Sequence, residues 1–294
     1  MGVLVPDTLD DAIVALGAQP DALVLAGGTD LMVEINEAHR RLTGTETVVV
    51  VGRLPELRTW VHDPGAATVR LGAGITYAEV ETGPLAALLP ALAQAARTVG
   101  SPQIRNVATI GGNLATCSPA GDGLPVLAAL DAEVELVGPD GRRTLPVGDF
   151  MTGVKRTARR PGELITAVTL PVLDGWQGYA KVGVRNAMVI AIAGACLAVD
   201  GPTRSVRIAL GSVAPTIVRA PAAEAFAAAE VDWDGAAVSG DVSRRFGELA
   251  GQAARPIDDH RASAAYRRRA VEVLAARLLH RAFPAEARGS TVGG

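Results

Sequence analysis

Cysteine is almost missing from this chain: Cys117 and Cys196 are the only two in 294 residues. An iron–sulfur cluster takes four thiolates, so none is expected here. The four histidines are scattered without ligand spacing, and no metal site is expected either. Lysine is equally scarce, Lys155 and Lys181 being the only two, which fits an arginine-favouring genome. No basic run of the kind nucleic acid attracts is present, and the formal net charge is −3. The densest cationic cluster, Arg267 to Arg269, opens an amphipathic helix and reads as a solvated face. Long apolar runs are absent too: 49% of residues are hydrophobic, yet no uninterrupted stretch is long enough to cross a bilayer, so no membrane insertion is expected. The opening MGVLVPDTLDDA has no basic stretch followed by an apolar segment, which predicts no secretory signal and a cytoplasmic address. What remains is a globular chain long enough for one large or two modest domains around a sizeable core.

Apolar spacing predicts the elements. Leu9, Ile13 and Leu16 recur at helical spacing between Thr8 and Gly17. Strands are expected over Ala22 to Leu25, Thr47 to Val51 and Thr68 to Leu71, with Leu31 to Ile35 as strand or short helix. The VVVV run suits a strand covered on both faces. Thr76-x-x-Glu79 is a capping-box pattern that starts a helix. Leu85 to Val99 reads as one helix ended by Gly100. Glu133 to Val137 and Arg142 to Val147 flank Pro139-Asp140-Gly141 as a hairpin, and Glu163 to Leu170 is a further strand. After the linker-like LDGWQG, three antiparallel strands are expected over Tyr179 to Val184, Ile190 to Val199 and Val206 to Val213. Helices follow at Ala220 to Ala229 and Val242 to Ala254, and the stripe Val271, Leu274, Ala275, Leu278, Leu279 and Ala282 marks the last. A sheet followed by helices suggests a separate α+β domain.

Two glycine-rich motifs carry the functional signal. AGGTD, Ala26 to Asp30, and TIGGN, Thr109 to Asn113, each end an apolar run. Paired glycines let backbone N–H groups converge on an anion, which suits a pyrophosphate, and Thr29, Thr109 and Asn113 add side-chain donors. The LGAGITY run resembles a dinucleotide fingerprint but fails it: Tyr77 occupies the sixth position and no acidic partner follows, so a Rossmann site is not expected. The stretch from Ser101 to Leu124 has few helix or strand signals, and long ordered loops usually bind something. It contains Ser118 and Asp122. Asp122 has two readings, a cap for the helix starting near Leu124 or a carboxylate that accepts from ribose or ribityl hydroxyls.

LAGGTDLM, LGAGITYAEVE, QIRNVATIGGNLATCSPAGDGLPVLAALDAEVEL, GELITAV, KVGVRNAMVIA and DDHRASAAYRRR occur in that order. Together they resemble the FAD-binding medium subunit of the molybdenum hydroxylases, the family of xanthine dehydrogenase, aldehyde oxidoreductase and aerobic carbon monoxide dehydrogenase. The resemblance spans Pro6 to Arg281. It implies an α+β protein: a two-lobed FAD-binding fold of the vanillyl-alcohol oxidase (PCMH) type over 1–174, with subdomains of about 1–55 and 56–174. A small α+β domain like the CO dehydrogenase flavoprotein C-terminal domain would follow over 175–285, with a three-stranded antiparallel sheet and helices, and then a frayed tail, 286–294.

The cofactor implied is FAD. Carried over by position, its first loop is Leu25, Ala26, Gly27, Gly28, Thr29, Asp30, Leu31 and Met32, and its second Thr109, Ile110, Gly111, Gly112 and Asn113. Asp122 matches a further contact, and Leu164 and Lys181 match positions near the isoalloxazine ring. A cation such as Lys181 near N1 or the C2 carbonyl would stabilise reduced flavin; its alternative is an exposed lysine at a strand start. Cys117 is expected to be a small buried residue. Val189 departs from the aspartate that the resemblance implies in RNAMVIA. The activity implied is that of a flavoprotein oxidoreductase subunit. It would take electrons from a small [2Fe–2S] subunit, downstream of a large molybdopterin subunit, and pass them to NAD or another acceptor. A stand-alone FAD oxidase or dehydrogenase acting on a small organic substrate is the alternative, and a flavin-free scaffold a third.

Overall fold

A computed structural model describes residues 2–284. The first lobe is a parallel sheet of β1 (Gly2–Leu4), β2 (Leu23–Leu25) and β3 (Thr47–Val50), with β3 in the middle. Helix α1 (Leu9–Ala18) is capped by Thr8, whose hydroxyl accepts from the Asp11 amide. Its apolar stripe places Ala12 and Leu16 in a small core with Val49, Val51, Leu54, Leu57 and Leu164. The ambiguous Leu31 to Ile35 segment is helical, α2 (Leu31–Asn36).

The second lobe is built on β4 (Trp60–Asp63), β5 (Thr68–Gly72), β6 (Glu133–Gly138) and β7 (Gly141–Pro146). After a two-stranded hairpin of β8 (Met151–Gly153) and β9 (Arg156–Thr157), β10 (Leu164–Pro171) completes it. The order is β4-β5-β10-β6-β7, antiparallel throughout, so this is no Rossmann sheet. Gly141, at φ +104°, closes the expected β6–β7 turn. The capping box also forms: the Glu79 amide donates to Thr76 Oγ1, and the Thr76 amide donates to the Glu79 carboxylate, starting α3 (Tyr77–Glu81).

The single helix expected over Leu85 to Val99 is instead α4 (Gly83–Leu88) and α5 (Pro90–Thr98). Pro90 has no amide to donate and its ring collides with the preceding turn, so it restarts a helix rather than continuing one. The stretch expected to lack regular structure holds α6 (Pro102–Arg105) and α7 (Ile110–Thr116), followed by α8 (Gly123–Ala129) and, after β7, α9 (Val147–Phe150).

The C-terminal unit has the three expected antiparallel strands, β11 (Gln177–Val182), β12 (Ala193–Asp200) and β13 (Ser205–Gly211). A short fourth, β14 (Val218–Arg219), pairs with β13. Two residues are too few to show period-two alternation, which hid it in the sequence. Helices α10 (Pro221–Glu230), α11 (Gly240–Ala253) and α12 (Ala264–Ala282) follow, and Val271, Leu274, Ala275, Leu278 and Leu279 of α12 are buried in a core shared with the sheet. The other face of the sheet joins the second lobe, since Tyr179, Cys196 and Ala209 belong to the large core that contains Leu92, Leu124 and Phe150. The tail after Pro284 lies outside the described residues. No helix among them is long and apolar enough to cross a membrane.

Candidate functional site

A cleft of about 890 Å³ runs between the first lobe, the second lobe and the β11–β12 connection. The first glycine motif forms one lip. Gly27 passes so close to the α6–α7 connection that a Cβ there would stand 1.9 Å from the Val107 carbonyl oxygen. Gly28 has φ +73°, which glycine adopts without strain. Among the described residues no oxygen accepts from the amides of Gly27, Gly28, Thr29 or Asp30. Successive unpaired amides around a left-handed residue make a concave anion receptor.

The second motif is different. Thr109 caps α7, its hydroxyl accepting from the Gly112 amide at 3.0 Å. The Ile110 amide donates to the Ile75 carbonyl and that of Gly111 to Ala73, while Asn113 donates to Thr109. The four amides from Ile110 to Asn113 are therefore spent inside the protein. A Cβ on Gly111 would lie 2.6 Å from the Ala73 side chain, whereas one on Gly112 meets only Thr109 Oγ1, at 3.0 Å. Asn113 Oδ1 accepts from the buried Tyr77 hydroxyl at 2.8 Å, which fixes the amide so that its nitrogen is the free donor. The Thr116 hydroxyl, at the end of α7, donates to the Asp30 carboxylate of the first motif at 3.2 Å.

Asp122 does not cap α8, for its side chain makes no capping bond. It receives Lys181 Nζ at 2.6 Å and the Thr98 hydroxyl at 3.1 Å on Oδ2, and the Tyr179 hydroxyl at 2.8 Å on Oδ1. The side chains of Lys181 and Asp122 are only 8% and 7% exposed, which overturns the exposed-lysine reading. Burial pushes the Asp122 carboxyl above its ordinary value, and Lys181 pulls it back. The other two ammonium protons of Lys181 go to the carbonyls of Thr98 and Val189. The pair thus joins α5, the start of α8 and the β11–β12 connection.

Leu25 to Leu31, Thr109, Gly111 to Asn113, Asp122 and Leu164 all line the cleft. Lys181 stands outside its lining, Ile110 is a core residue and Met32 is 44% exposed. Cys117 is buried at the left-handed end of α7. Val189 lines the cleft, and its carbonyl anchors Lys181. Sequence reasoning overlooked Tyr77 as the residue that orients Asn113, although the failed fingerprint had drawn attention to it. It also missed Arg159, Lys155 and Arg40, which line the cleft, the first two from the β8–β9 region and the third from the segment after α2.

Residues 1–173 match the family described as the FAD binding domain in molybdopterin dehydrogenase, and residues 179–282 match the CO dehydrogenase flavoprotein C-terminal domain. The chain belongs to this family of FAD-binding medium subunits of molybdenum hydroxylase-type dehydrogenases. It is 36% identical over 202 residues to the nicotinate dehydrogenase FAD-subunit of Eubacterium barkeri, covering 66% of this chain and 67% of the relative. It is 33% identical over 220 residues to the carbon monoxide dehydrogenase medium chain of Hydrogenophaga pseudoflava, covering 73% and 75%. The solved carbon monoxide dehydrogenase of that organism superposes with a TM-score of 0.84 at 29% identity, over 96% of both chains. The α+β two-part fold, FAD as the cofactor and the oxidoreductase class expected from the sequence all stand on these matches.

Proposed function

We propose that this chain is the electron-transferring FAD subunit of a molybdenum hydroxylase complex. It receives electrons from a [2Fe–2S] subunit, itself fed by a molybdopterin subunit, and passes them to NAD or another acceptor. The flavin unit is residues 1–174 and the C-terminal domain 175–285. The observation that carries the reading is the row of unpaired amides at Gly27 to Asp30 on the lip of a cleft this large.

The residues fit the cofactor. Bound FAD supplies one-electron acceptance and hydride release. The Gly27 to Asp30 amides hold phosphate oxygens, while Gly112 leaves space for them and the Asn113 side-chain amide donates alongside. Asp122 accepts from a hydroxyl of the ribityl or ribose chain with the lone pairs that Tyr179, Thr98 and Lys181 leave open. Because all three Lys181 protons are engaged, Lys181 acts through Asp122, keeping that carboxylate charged and oriented. Leu164 and Val189 form apolar wall and exclude water. The cysteines are both buried, and Cys117 and Cys196 are two where a cluster takes four, so electrons enter from a partner.

The test is purification followed by reconstitution. The chain should release FAD rather than FMN, show at most weak NADH-dependent dye reduction, and leave purines and aldehydes untouched. Adding the small iron–sulfur and large molybdopterin subunits should restore substrate-driven bleaching of the flavin. Rapid bleaching of this chain alone by a small organic substrate overturns the relay reading.

A further inference from the structure

The cations on the cleft wall are not equivalent. Arg40, Lys155 and Arg159 are the lysines and arginines that line it. Two of them are neutralised by one carboxylate: Glu34 takes Lys155 Nζ at 2.7 Å and Arg40 Nε at 3.3 Å. Arg159 has no carboxylate within salt-bridge reach among the described residues. Its guanidinium makes one hydrogen bond, from Nη1 to the Glu163 carbonyl at 2.8 Å. The neighbouring Glu163 carboxylate is already occupied, holding Arg143 at 2.6 Å and 2.8 Å and the Arg160 amide at 2.6 Å.

The 158–163 segment around Arg159 is fixed. Arg143 also donates to the Ala158 carbonyl, Gly162 adopts φ +78°, and a Cβ on Gly162 would lie 3.4 Å from the Leu16 carbonyl of the first lobe. Arg159 therefore stands at the junction of the lobes, half-buried, on the cleft that holds the unpaired amides. Burial holds its guanidinium below the usual arginine range despite the attraction of Glu163. A positive group that has given up part of its hydration without gaining an anionic partner is prepared for an anion from outside the chain. Other charge on the wall makes that need sharper, because Asp21 and Asp30 are acidic and exposed there.

Resting on the FAD reading above, we propose that Arg159 is a further cofactor-binding residue, supplying the positive charge that holds the phosphates of the dinucleotide where the glycine motif supplies only amides. The test titrates FAD into apo-protein, wild type, Arg159→Gln and Arg159→Lys, following flavin fluorescence at several salt concentrations. Loss of one charge-assisted contact predicts about tenfold or more weaker FAD binding for the Gln variant and a shallower dependence of affinity on salt. The Lys variant should recover most of both. Thermal melts of the three apo-proteins should agree within a few degrees. FAD affinity within twofold of wild type in Arg159→Gln, an unchanged salt dependence, or Arg159→Lys as weak as Arg159→Gln each overturns the proposal. Lower apo stability in Arg159→Gln with equal FAD affinity assigns Arg159 a structural role and overturns it too. If the wild-type chain itself takes up no FAD, it is the FAD reading that fails, a different and separately visible result.

Discussion

The two glycine motifs look alike as strings and do different work. AGGTD leaves consecutive amides unpaired around a left-handed glycine, whereas the amides from Ile110 to Asn113 in TIGGN are consumed by the carbonyls of Ala73, Ile75 and Thr109 and by the Thr109 hydroxyl. In the first the backbone amides are left open on the wall of the cleft. In the second glycine is there for contact, so that the start of α7 can press against Ala73 and leave Gly112 bare toward the cleft. A glycine pair is thus a statement about the absence of Cβ. Whether that absence serves an anion or a neighbouring backbone is decided by where the amides go.

The largest effect should come from the anchor of the second motif's segment. Asp122→Ala leaves the Lys181 ammonium buried without its counter-charge, a change expected to cost about 3–5 kcal/mol in urea unfolding. Lys181→Met should cost a similar amount by stranding Asp122. Combining Asp122→Leu with Lys181→Met should be clearly milder than the sum of the two single changes. A loss below about 1 kcal/mol in Asp122→Ala would show that the pair does not anchor the segment. Next comes the contact between the lobes. Gly27→Ala drives a methyl onto the Val107 carbonyl and should destabilise the apo-protein by about 1–3 kcal/mol or more, as should Gly111→Ala against Ala73. If either variant melts like wild type, close approach is not what that glycine provides.

Gly28→Ala separates conformation from contact. The nearest atoms to an added Cβ are flexible side-chain ends, Leu25 Cδ1 at 3.2 Å and Met32 Cγ at 3.4 Å, so the cost is mainly that of φ +73°. It should be about 1–2 kcal/mol in the apo-protein, with a further loss in FAD affinity because the amides turn away. Unchanged FAD titration would argue that this loop does not hold the phosphates.

Much of this was legible in the sequence because it is local. The α1 stripe, the Thr76–Glu79 box, the β6–β7 turn and the apolar face of α12 all lie within a few residues of their partners. Helix α7 was hidden because Gly111 and Gly112 are poor helix formers, held helical by the Thr109 cap and by Ala73, far away in sequence. Pro90 split a helix whose apolar spacing runs straight through it. At the site, the glycine motifs and Asp122 were visible as residue types, but the partner that draws Asp122 away from capping α8 is Lys181, 59 positions on. Arg159 carries no local signal at all: its importance lies in lacking a carboxylate, which only the folded arrangement reveals.

Acid should act on the two regions in opposite senses. The Lys155 hydrogen bond, with Arg40, holds the Glu34 carboxyl beside the first motif below its ordinary 4.5. A lowered folded value means that its stabilising contribution is complete above pH 4.5 and is lost as pH falls through the folded value. Glu34→Gln should remove that part of the slope in a pH series of melts. For Asp122 the raised value reverses the sign, its contribution declining as pH rises from the ordinary 3.8 toward the folded value. A profile for Glu34→Gln that parallels wild type throughout the acid limb would show that Glu34 is not linked to folding.

The smallest change in stability should come from Gly112→Ala, and it sharpens the comparison most. Gly112 is helical, its φ is not left-handed, and an added Cβ meets only Thr109 Oγ1 at 3.0 Å. Alanine is the better helix former by about 1 kcal/mol, which offsets the small adjustment of Thr109, so the apo-protein should melt within a few degrees of wild type. The new methyl nevertheless stands at the cleft wall, where on the proposed reading the second motif keeps space for the cofactor. FAD affinity should therefore fall while stability holds, and Gly112→Val should deepen that fall. Equal affinity in both variants would mean that the cofactor keeps its distance from α7, leaving the first motif to hold the phosphates without it.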